Sequence, residues 1–477
     1  MMYMSFCSHL GAGRHRVRIY QQYSVIAMAG MIPNVPGTGN TIPISSYVAG
    51  ITESYPNVNR QRIIESSINS KERIDFMPSN VGVNQVLSDR YIEFRVNGIV
   101  GSFLDLSSIA LELFIKISRA GNNLTATQNI GVANGLSNTL FKSVSVFLNE
   151  KLVESCPLYN YLAYMKMVTS MKADVLKSIG KCGYFHDDYC LEHGITNRYT
   201  DNSFKEGERW EVIQMPDVKV HGIHTCFPLL LDLGSVDMYL LDSVDLRIRL
   251  ELANNSWVMN ADKEGELNDL TIQKCRLWID RVTPHYNAMA ALNQSLSLKP
   301  VQYTFNKTLY KTYIVGVNES SIMIDQPFGT CIPDKMTLAL IEMRHFSGDY
   351  TRNALYFNHC DINNIHITIN GSTVYNINSS FPGQVMQAYY ETIKSIGMEQ
   401  ENIITFESFK EGRTIFNFNF INEDMKEALP VDRSASMRIA LRFDAPLTSP
   451  HMVILFGDTT GILTIDSDRI IHCDVRG

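Results

Sequence analysis

Cys182, His186, Cys190 and His193 are the residues of this chain whose types and spacing come nearest to a chemical site, lying 4, 4 and 3 positions apart. Two thiolates and two imidazoles can make a tetrahedral zinc centre. Structural zinc sites usually pinch two sulfurs together in a tight Cys-x-x-Cys knuckle, and that knuckle is missing here. On a helix the four would form one stripe, but Gly183 and the Asp187-Asp188 pair disfavour a helix. The segment is therefore read as a polar loop with partly buried Cys and Tyr, and no metal ligand is assigned.

Other candidates fare no better. Asp242, Asp245 and Glu251 could supply paired carboxylates for glycoside hydrolysis, which needs two acids lining a cleft. Asp245 and Glu251, however, fall on alternating outward positions of a strand, as on a solvated face. No nucleophile elbow, Walker loop or His-Glu-x-x-His pair occurs. Gly457 to Gly461 reads Gly-Asp-Thr-Thr-Gly, but strands flank it on both sides, so a hairpin turn is expected there and not a phosphate cradle. Sequons at Asn123, Asn306, Asn318 and Asn370 carry no meaning without secretion. Catalytic, cofactor-binding and metal residues are all assigned as none.

The elements that would position such residues are strands. Apolar residues make up 45% of the 477 and charged ones 19%, enough for sizeable cores and two or three domains. The net charge of −7 gives no broad positive field for DNA. Nine Cys with no regular spacing argue against a disulfide framework and fit a reducing compartment. The N-terminal apolar run Ser24 to Ile32 is too short to span a bilayer, so no membrane span is expected. Residues 1 to about 70 include Pro33, Pro36, Gly37, Gly39, Pro43 and Pro56 and show little periodicity, and are read as a flexible arm or an over-extended start ahead of Met28 or Met31. Arg14, His15, Arg16 and Arg18 on it offer at most weak, salt-sensitive nucleic-acid contact.

From Glu72 onward the period is two. Ile92, Phe94 and Val96 alternate with polar partners, as do Leu111 to Ile117, Val244 to Leu252, Ile365 to Ile369, Phe416 to Phe420 and Met437 to Phe443. Each reads as an antiparallel strand with one buried and one wet face. Further strands are expected at Ile272–Val282, Met452–Phe456, Ile462–Ile465 and Ile470–Cys473, and helices at Tyr159–Ile179 and Pro382–Ile396.

The chain also repeats itself. Val144, Val146, Leu148, Asn149 and Val153 fall opposite Ile365, Ile367, Ile369, Asn370 and Val374 at an offset of 221. Ala163-Tyr164 follows the first copy as Ala388-Tyr389 follows the second. The offset is the size of a whole β-sandwich, too long for a solenoid repeat. Arg247 and Arg438 match at an offset of only 191, so the first copy carries about 30 extra residues, near Lys181 to Glu211. The fold class is all-β, two antiparallel sandwiches of jelly-roll type in tandem with a few short helices in loops. The divisions are an arm over 1–70, a first sandwich over 71–297 and a second over 298–477.

Several segments then resemble a known family. They are Phe103-Leu104-Asp105-Leu106, Leu140 to Asn149, Leu231-Asp232-Leu233 and Tyr239 to Ile248 in the first copy. In the second they are Ile332-Pro333-Asp334-Lys335, Phe346-Ser347-Gly348-Asp349, Ile369-Asn370-Gly371, Met437 to Phe443 and Leu463-Thr464-Ile465-Asp466. In number, order and spacing this set resembles the hexon-like major capsid proteins of Polinton (Maverick) elements and adintoviruses, over about Glu72 to Val475. The resemblance implies a double jelly roll, homotrimeric pseudo-hexagonal capsomers and a capsid lattice. It also implies a minor or penton capsid protein as partner, assembly inside the host cell without secretion, and no enzymatic or cofactor chemistry. The competing expectation, on sandwich fold alone, is a carbohydrate-binding or glycoside-processing protein.

Overall fold

A computed structural model describes residues 67–80, 90–124, 130–187, 221–261, 268–381, 383–397, 401–421 and 435–474, all within one compact unit, Glu65–Gly477. The first half contributes β1 (Ile68–Phe76), β2 (Tyr91–Val96), β3 (Phe103–Arg119), β4 (Asn122–Asn123), β5 (Ile130–Val132), β6 (Phe141–Leu148), β7 (Lys151–Cys156), β8 (Ile223–Pro228), β9 (Leu246–Leu252), β10 (Met259–Ala261) and β11 (Asn268–Pro284). The second contributes β12 (Val301–Val315), β13 (Ser321–Asp325), β14 (Lys335–Glu342), β15 (Ile362–Ile369), β16 (Ser372–Asn378), β17 (Ile415–Asn419), β18 (Met437–Phe443), β19 (His451–Ile465) and β20 (Ile471–Asp474). Four helices matter below: α1 (Tyr159–Ser170), α2 (Ala173–Ser178), α3 (Tyr286–Leu298) and α4 (Met386–Ile396).

The two halves have one topology. In the first, β1-β11-β3-β8 form one sheet and β2-β9-β6-β7 the other; in the second, β12-β19-β14-β17 and β13-β18-β15-β16 repeat that order strand for strand. Every pairing in these four sheets is antiparallel. Two four-stranded antiparallel sheets wound this way are a jelly roll, so the fold is a double jelly roll. No named sheet mixes strands from the two halves. Their inward residues, Phe94, Leu113, Val146, Ile248 and Ile279 in one half and Leu338, Ile367, Ile439 and Leu455 in the other, are all buried.

The duplicated turns agree in atomic detail. Asn149 and Glu150 have φ of 44° and 65°, Asn370 and Gly371 of 50° and 80°, the left-handed pair a type I′ hairpin requires. Asn149 N–H donates to the Asp245 carbonyl (3.0 Å), and Asp245 N–H donates back to Asn149 Oδ1 (2.8 Å). Asn370 and Ser436 make the same two bonds at 2.9 and 3.0 Å. Asparagine is therefore required twice over, for its tolerance of positive φ and for the amide that ties each hairpin to the neighbouring strand.

Three expectations change. Gly457–Gly461 is no turn: β19 runs straight through it, with Gly461 opposite Phe305 and Gly457 opposite Leu309 on β12. The glycines make room for rings. A Cβ on Gly461 would lie 2.8 Å from Phe305 Cζ, and one on Gly457 2.9 Å from Pro333 and 3.0 Å from Phe328. The helix expected over Tyr159–Ile179 breaks at Met171, which is extended (φ −96°, ψ 142°), and continues as α2, whose Ala173 N–H donates to the Glu401 carbonyl (2.9 Å). Between the two halves lies α3, whose first turn is capped by the His285 side chain accepting from Asn287 N–H. Finally, β17 has no wet face, because α4 packs on it and Asn417 is buried, its Oδ1 accepting from Thr337 Oγ1 (2.7 Å). The second helix starts at Met386, and Pro382 lies outside the described residues.

Replacing Gly461 by Leu should therefore overpack a strand, not disturb a turn, and lower stability by about 1–3 kcal/mol. Urea midpoints of the two proteins check this, and an unchanged midpoint would refute the packing of Phe305 over Gly461.

Candidate functional site: the seam between the sandwiches and its exposed counterpart

Residues singled out from the sequence do not converge. Cys182 is exposed, while Cys190 and His193 lie outside the described residues, as do positions 188–211 of the insertion. His186 is buried, its N–H and carbonyl both held by the Asn134 side chain at 2.9 and 2.7 Å. Among the described residues no group of three His, Cys, Asp or Glu is arranged to hold a metal, and no helix is long and apolar enough to cross a membrane. Asp245 and Glu251 accept from Gly98 N–H and Ser143 Oγ. Asp242 is buried and paired with Arg469 of the second sandwich. Trp257 is buried, its indole N–H donating to Tyr161, and the Trp278 indole N–H donates to Glu112. The Arg14–Arg18 patch lies outside the described residues.

What the fold does bring together is a seam of polar groups where the sandwiches meet. At its centre Lys166 of α1 donates to Asp232 Oδ1 at 2.5 Å. Asp232 also accepts from Thr308 of β12, through N–H to Oδ2 (2.8 Å) and through the hydroxyl to Oδ1 (2.9 Å). The same hydroxyl lies 3.2 Å from Asp458 Oδ1 on β19. Glu154 of β7 closes the cluster by accepting the N–H groups of Asp232 and Leu233 at 2.9 and 3.1 Å. Three carboxyls thus surround one ammonium. Burial, followed by the charge of Asp232, pushes the Glu154 carboxyl up to about 8, and burial also raises Asp458. For Lys166 burial opposes the charge, but Asp232, Asp458 and Glu154 outweigh it and keep the ammonium ionised.

A second contact lies at Arg413, which is fully buried and reaches across to the first sandwich. Its Nη1 donates to Asp187 (2.7 Å) and its Nε to the Tyr164 hydroxyl (3.2 Å). Beside it Tyr161 stacks on Phe346 at 5.5 Å and meets Phe357 edge-on at 6.3 Å. At the hairpin, Asn149 Nδ2 donates to the Arg469 carbonyl (2.9 Å) and Lys151 Nζ to the Ile471 carbonyl (2.8 Å). The β6–β7 hairpin and α1 of the first sandwich are thus covered by the second.

The equivalent face of the second sandwich, β15–β16 and α4, has no such cover among the described residues. At the hairpin offset Val153 corresponds to Val374, and at the helix offset of 225 Tyr161 and Met165 correspond to Met386 and Tyr390. Val153, Tyr161 and Met165 are 5%, 1% and 2% exposed; Val374, Met386 and Tyr390 are 45%, 63% and 53% exposed. An open cleft of about 590 Å³ lies beside them, lined by Tyr375, Gln387, Glu391, Lys394 and Phe420 among others. Exposed apolar side chains clustered on one face mark an interaction surface more often than an accident of folding.

No protein-family model matches this sequence, and no curated protein matches it. Solved structures do. A chain of the Sputnik virophage, seen by cryo-EM, aligns with a TM-score of 0.59 at 13% identity over 94% of each chain. The major capsid protein of mavirus aligns at 0.53 and 11% identity, over 93% of this chain and 97% of that one. The Faustovirus major capsid protein gives 0.54 and 8%, over 88% and 96%. At these identities the likeness is one of fold, a pair of jelly rolls in tandem over nearly the whole chain.

The seam makes stability depend on pH with a definite sign. The folded state holds the Glu154 proton up to about pH 8, while an unfolded chain releases it near 4.5. The stabilisation is complete below 4.5 and declines as pH rises to about 8. The charged neighbours facing the carboxyl are Asp232 and Lys166, with the Cys156 and Tyr159 protons also near. Glu154→Gln should flatten the decline, and denaturant midpoints across this window report it. Equal slopes in variant and wild type would remove Glu154 as the source.

Proposed function

We propose that this chain is the major capsid protein of a double-stranded DNA virus or virus-like element, acting without catalysis as a homotrimeric, pseudo-hexagonal tile. The shared fold with the mavirus and Faustovirus capsid proteins supports the class. Within it, the segments from Phe103 to Asp466 that resemble Polinton and adintovirus proteins favour that branch. The divisions proposed are an arm over 1–70 and sandwiches over 71–297 and 298–477.

The observation that carries the trimer is the difference between two equivalent faces. The second sandwich covers the hairpin-and-helix face of the first, and the matching face of the second exposes Val374, Met386 and Tyr390. The first sandwich of another copy has the same fold as the element that provides cover inside the chain. Repeating the internal contact between chains is a heterologous interface, which closes into a ring when the rotation allows. Three chains supply six sandwiches, the number a hexagonal outline needs. The tiles then join a lattice with a minor or penton protein at its vertices, assembled inside the host cell. Nucleic-acid contact is confined to the basic patch of the arm.

Light scattering on the purified protein, with negative-stain microscopy for three-fold particles of hexagonal outline, tests this reading. Met386→Glu and Tyr390→Glu should each weaken trimerisation by roughly 30-fold, the equivalent of losing about 2 kcal/mol at an interface hot spot. Each should leave the monomer's circular dichroism unchanged. A wild-type protein that stays monomeric at high concentration would defeat the proposal, as would variants that trimerise normally.

A further inference from the structure

The cluster around Lys166 has a chemical capacity that a capsid role does not call on. The geometry points to an intramolecular isopeptide bond between Lys166 Nζ and Asp232 Cγ, formed by the chain on itself after folding. The chemistry does not depend on the capsid reading.

Four observations meet at one point. The nucleophile already touches the carboxyl group it would attack, with Nζ 2.5 Å from Oδ1. Holding reactants at such range replaces a bimolecular encounter, and that accounts for much of the barrier to amide formation in water. The Asp232 carboxyl cannot turn away, because Thr308 fixes one oxygen by its N–H and the other by its hydroxyl. The site is enclosed, since Asp232 keeps 6% of its side-chain surface and Lys166 24%. Finally, two further carboxyls flank the pair, and Asp458 reaches the leaving oxygen through the Thr308 hydroxyl at 3.2 and 2.9 Å. The Lys71–Asp105 and Lys410–Glu407 pairs differ in this respect: water reaches Lys71 (42% exposed) and Glu407 (65% exposed) and stabilises their charges. A buried ion pair lacks that help, and condensation removes both charges at once.

The step balances without any co-reactant. One ammonium proton passes from Nζ to Asp232 Oδ1, giving the neutral amine and neutral acid that the condensation needs. Nζ swings onto Cγ, a C–N bond forms, and the electron pair moves to Oδ2 against the Thr308 N–H, which acts as an oxyanion donor. As the C–O bond to Oδ1 breaks, Asp458 delivers a second proton to that oxygen through the Thr308 hydroxyl. The proton then shed by Nζ restores Asp458. The products are one amide and one water, and neither residue is oxidised or reduced. Glu154 is a positioning residue, holding the Asp232 and Leu233 backbone by two hydrogen bonds. The bond would tie α1 to the segment after β8 at the seam.

Mass spectrometry of the full-length chain, unfolded after purification, tests this directly. The expected mass is lower than the sequence value by one water, with tryptic cleavage missing at Lys166 and a branched peptide joining it to the Asp232 segment. Lys166→Arg keeps the charge and the hydrogen bond but cannot condense, and should show the full mass. Should the fresh protein be only partly linked, the linked fraction should grow on incubation at neutral pH in the wild type alone. A full wild-type mass that does not change on incubation would overturn the inference, as would a water loss mapped to another residue. Trimer formation, read separately by light scattering, keeps this outcome distinct from that of the capsid reading.

Discussion

A jelly roll of this topology ends its second sheet on a hairpin strand whose outer side and following helix need cover, and this need governs the molecule. In the first sandwich the cover is internal. Phe346, Phe357, Arg413 and the Arg469–Ile471 backbone close over α1 and the β6–β7 hairpin. An uncovered edge is a template for pairing with another chain. A duplicated sandwich meets this liability once within the chain and presents it once to the outside. The linker, α3, lies between β11 and β12 and belongs to neither set of sheets.

The cover uses ions as well as rings, and ions are a poor source of stability when buried. Desolvating a guanidinium or a carboxylate costs several kcal/mol, which a single partner seldom returns in full. Arg413, Lys166, Asp232 and Asp242 are therefore better understood as fixing how the sandwiches register, since a misplaced contact would leave a charge without its partner. Apolar packing at Tyr161 supplies attraction that tolerates sliding; the Asp232–Thr308 and Arg413–Asp187 contacts do not.

The sequence was readable where the physics is local. Alternation along β3, β9 and β18 follows from one face being buried, and the Asn149 and Asn370 hairpins follow from the need for positive φ. The duplication could be seen because both constraints recur together at one offset. Gly457 and Gly461 misled for the same reason they matter: glycine signals a turn locally, and only Phe305, about 150 positions away in the chain, shows that it makes room for a ring. The seam gave no signal at all. Asp232 meets Thr308, Tyr164 meets Arg413 and Asn149 meets Arg469, pairs separated by 76, 249 and 320 positions, with no motif linking them. Leu231-Asp232-Leu233 stood out by resemblance, but its chemistry comes from β7, α1, β12 and β19 together.

The divergence of the two copies follows from which cover each one has. At the hairpin offset Glu154 corresponds to Tyr375, and at the helix offset Lys166 corresponds to Glu391. Tyr375 makes no ion pair; its hydroxyl donates to the Asn419 carbonyl at 2.7 Å and its ring meets Phe418 and Phe420. Within one chain the sandwiches stay tethered at high effective concentration, so a buried cluster of three carboxyls and one ammonium can form despite its desolvation cost. A face left open to solvent has no such tether. It keeps exposed apolar side chains at Val374, Met386 and Tyr390, with charge at Glu391 and Lys394 lining the cleft beside them. Apolar anchors with charge kept to the rim are the usual composition of interfaces between separate molecules. Covalent linkage of the two sandwiches thus explains why one of two faces with the same fold became ionic and closed while the other stayed apolar and open.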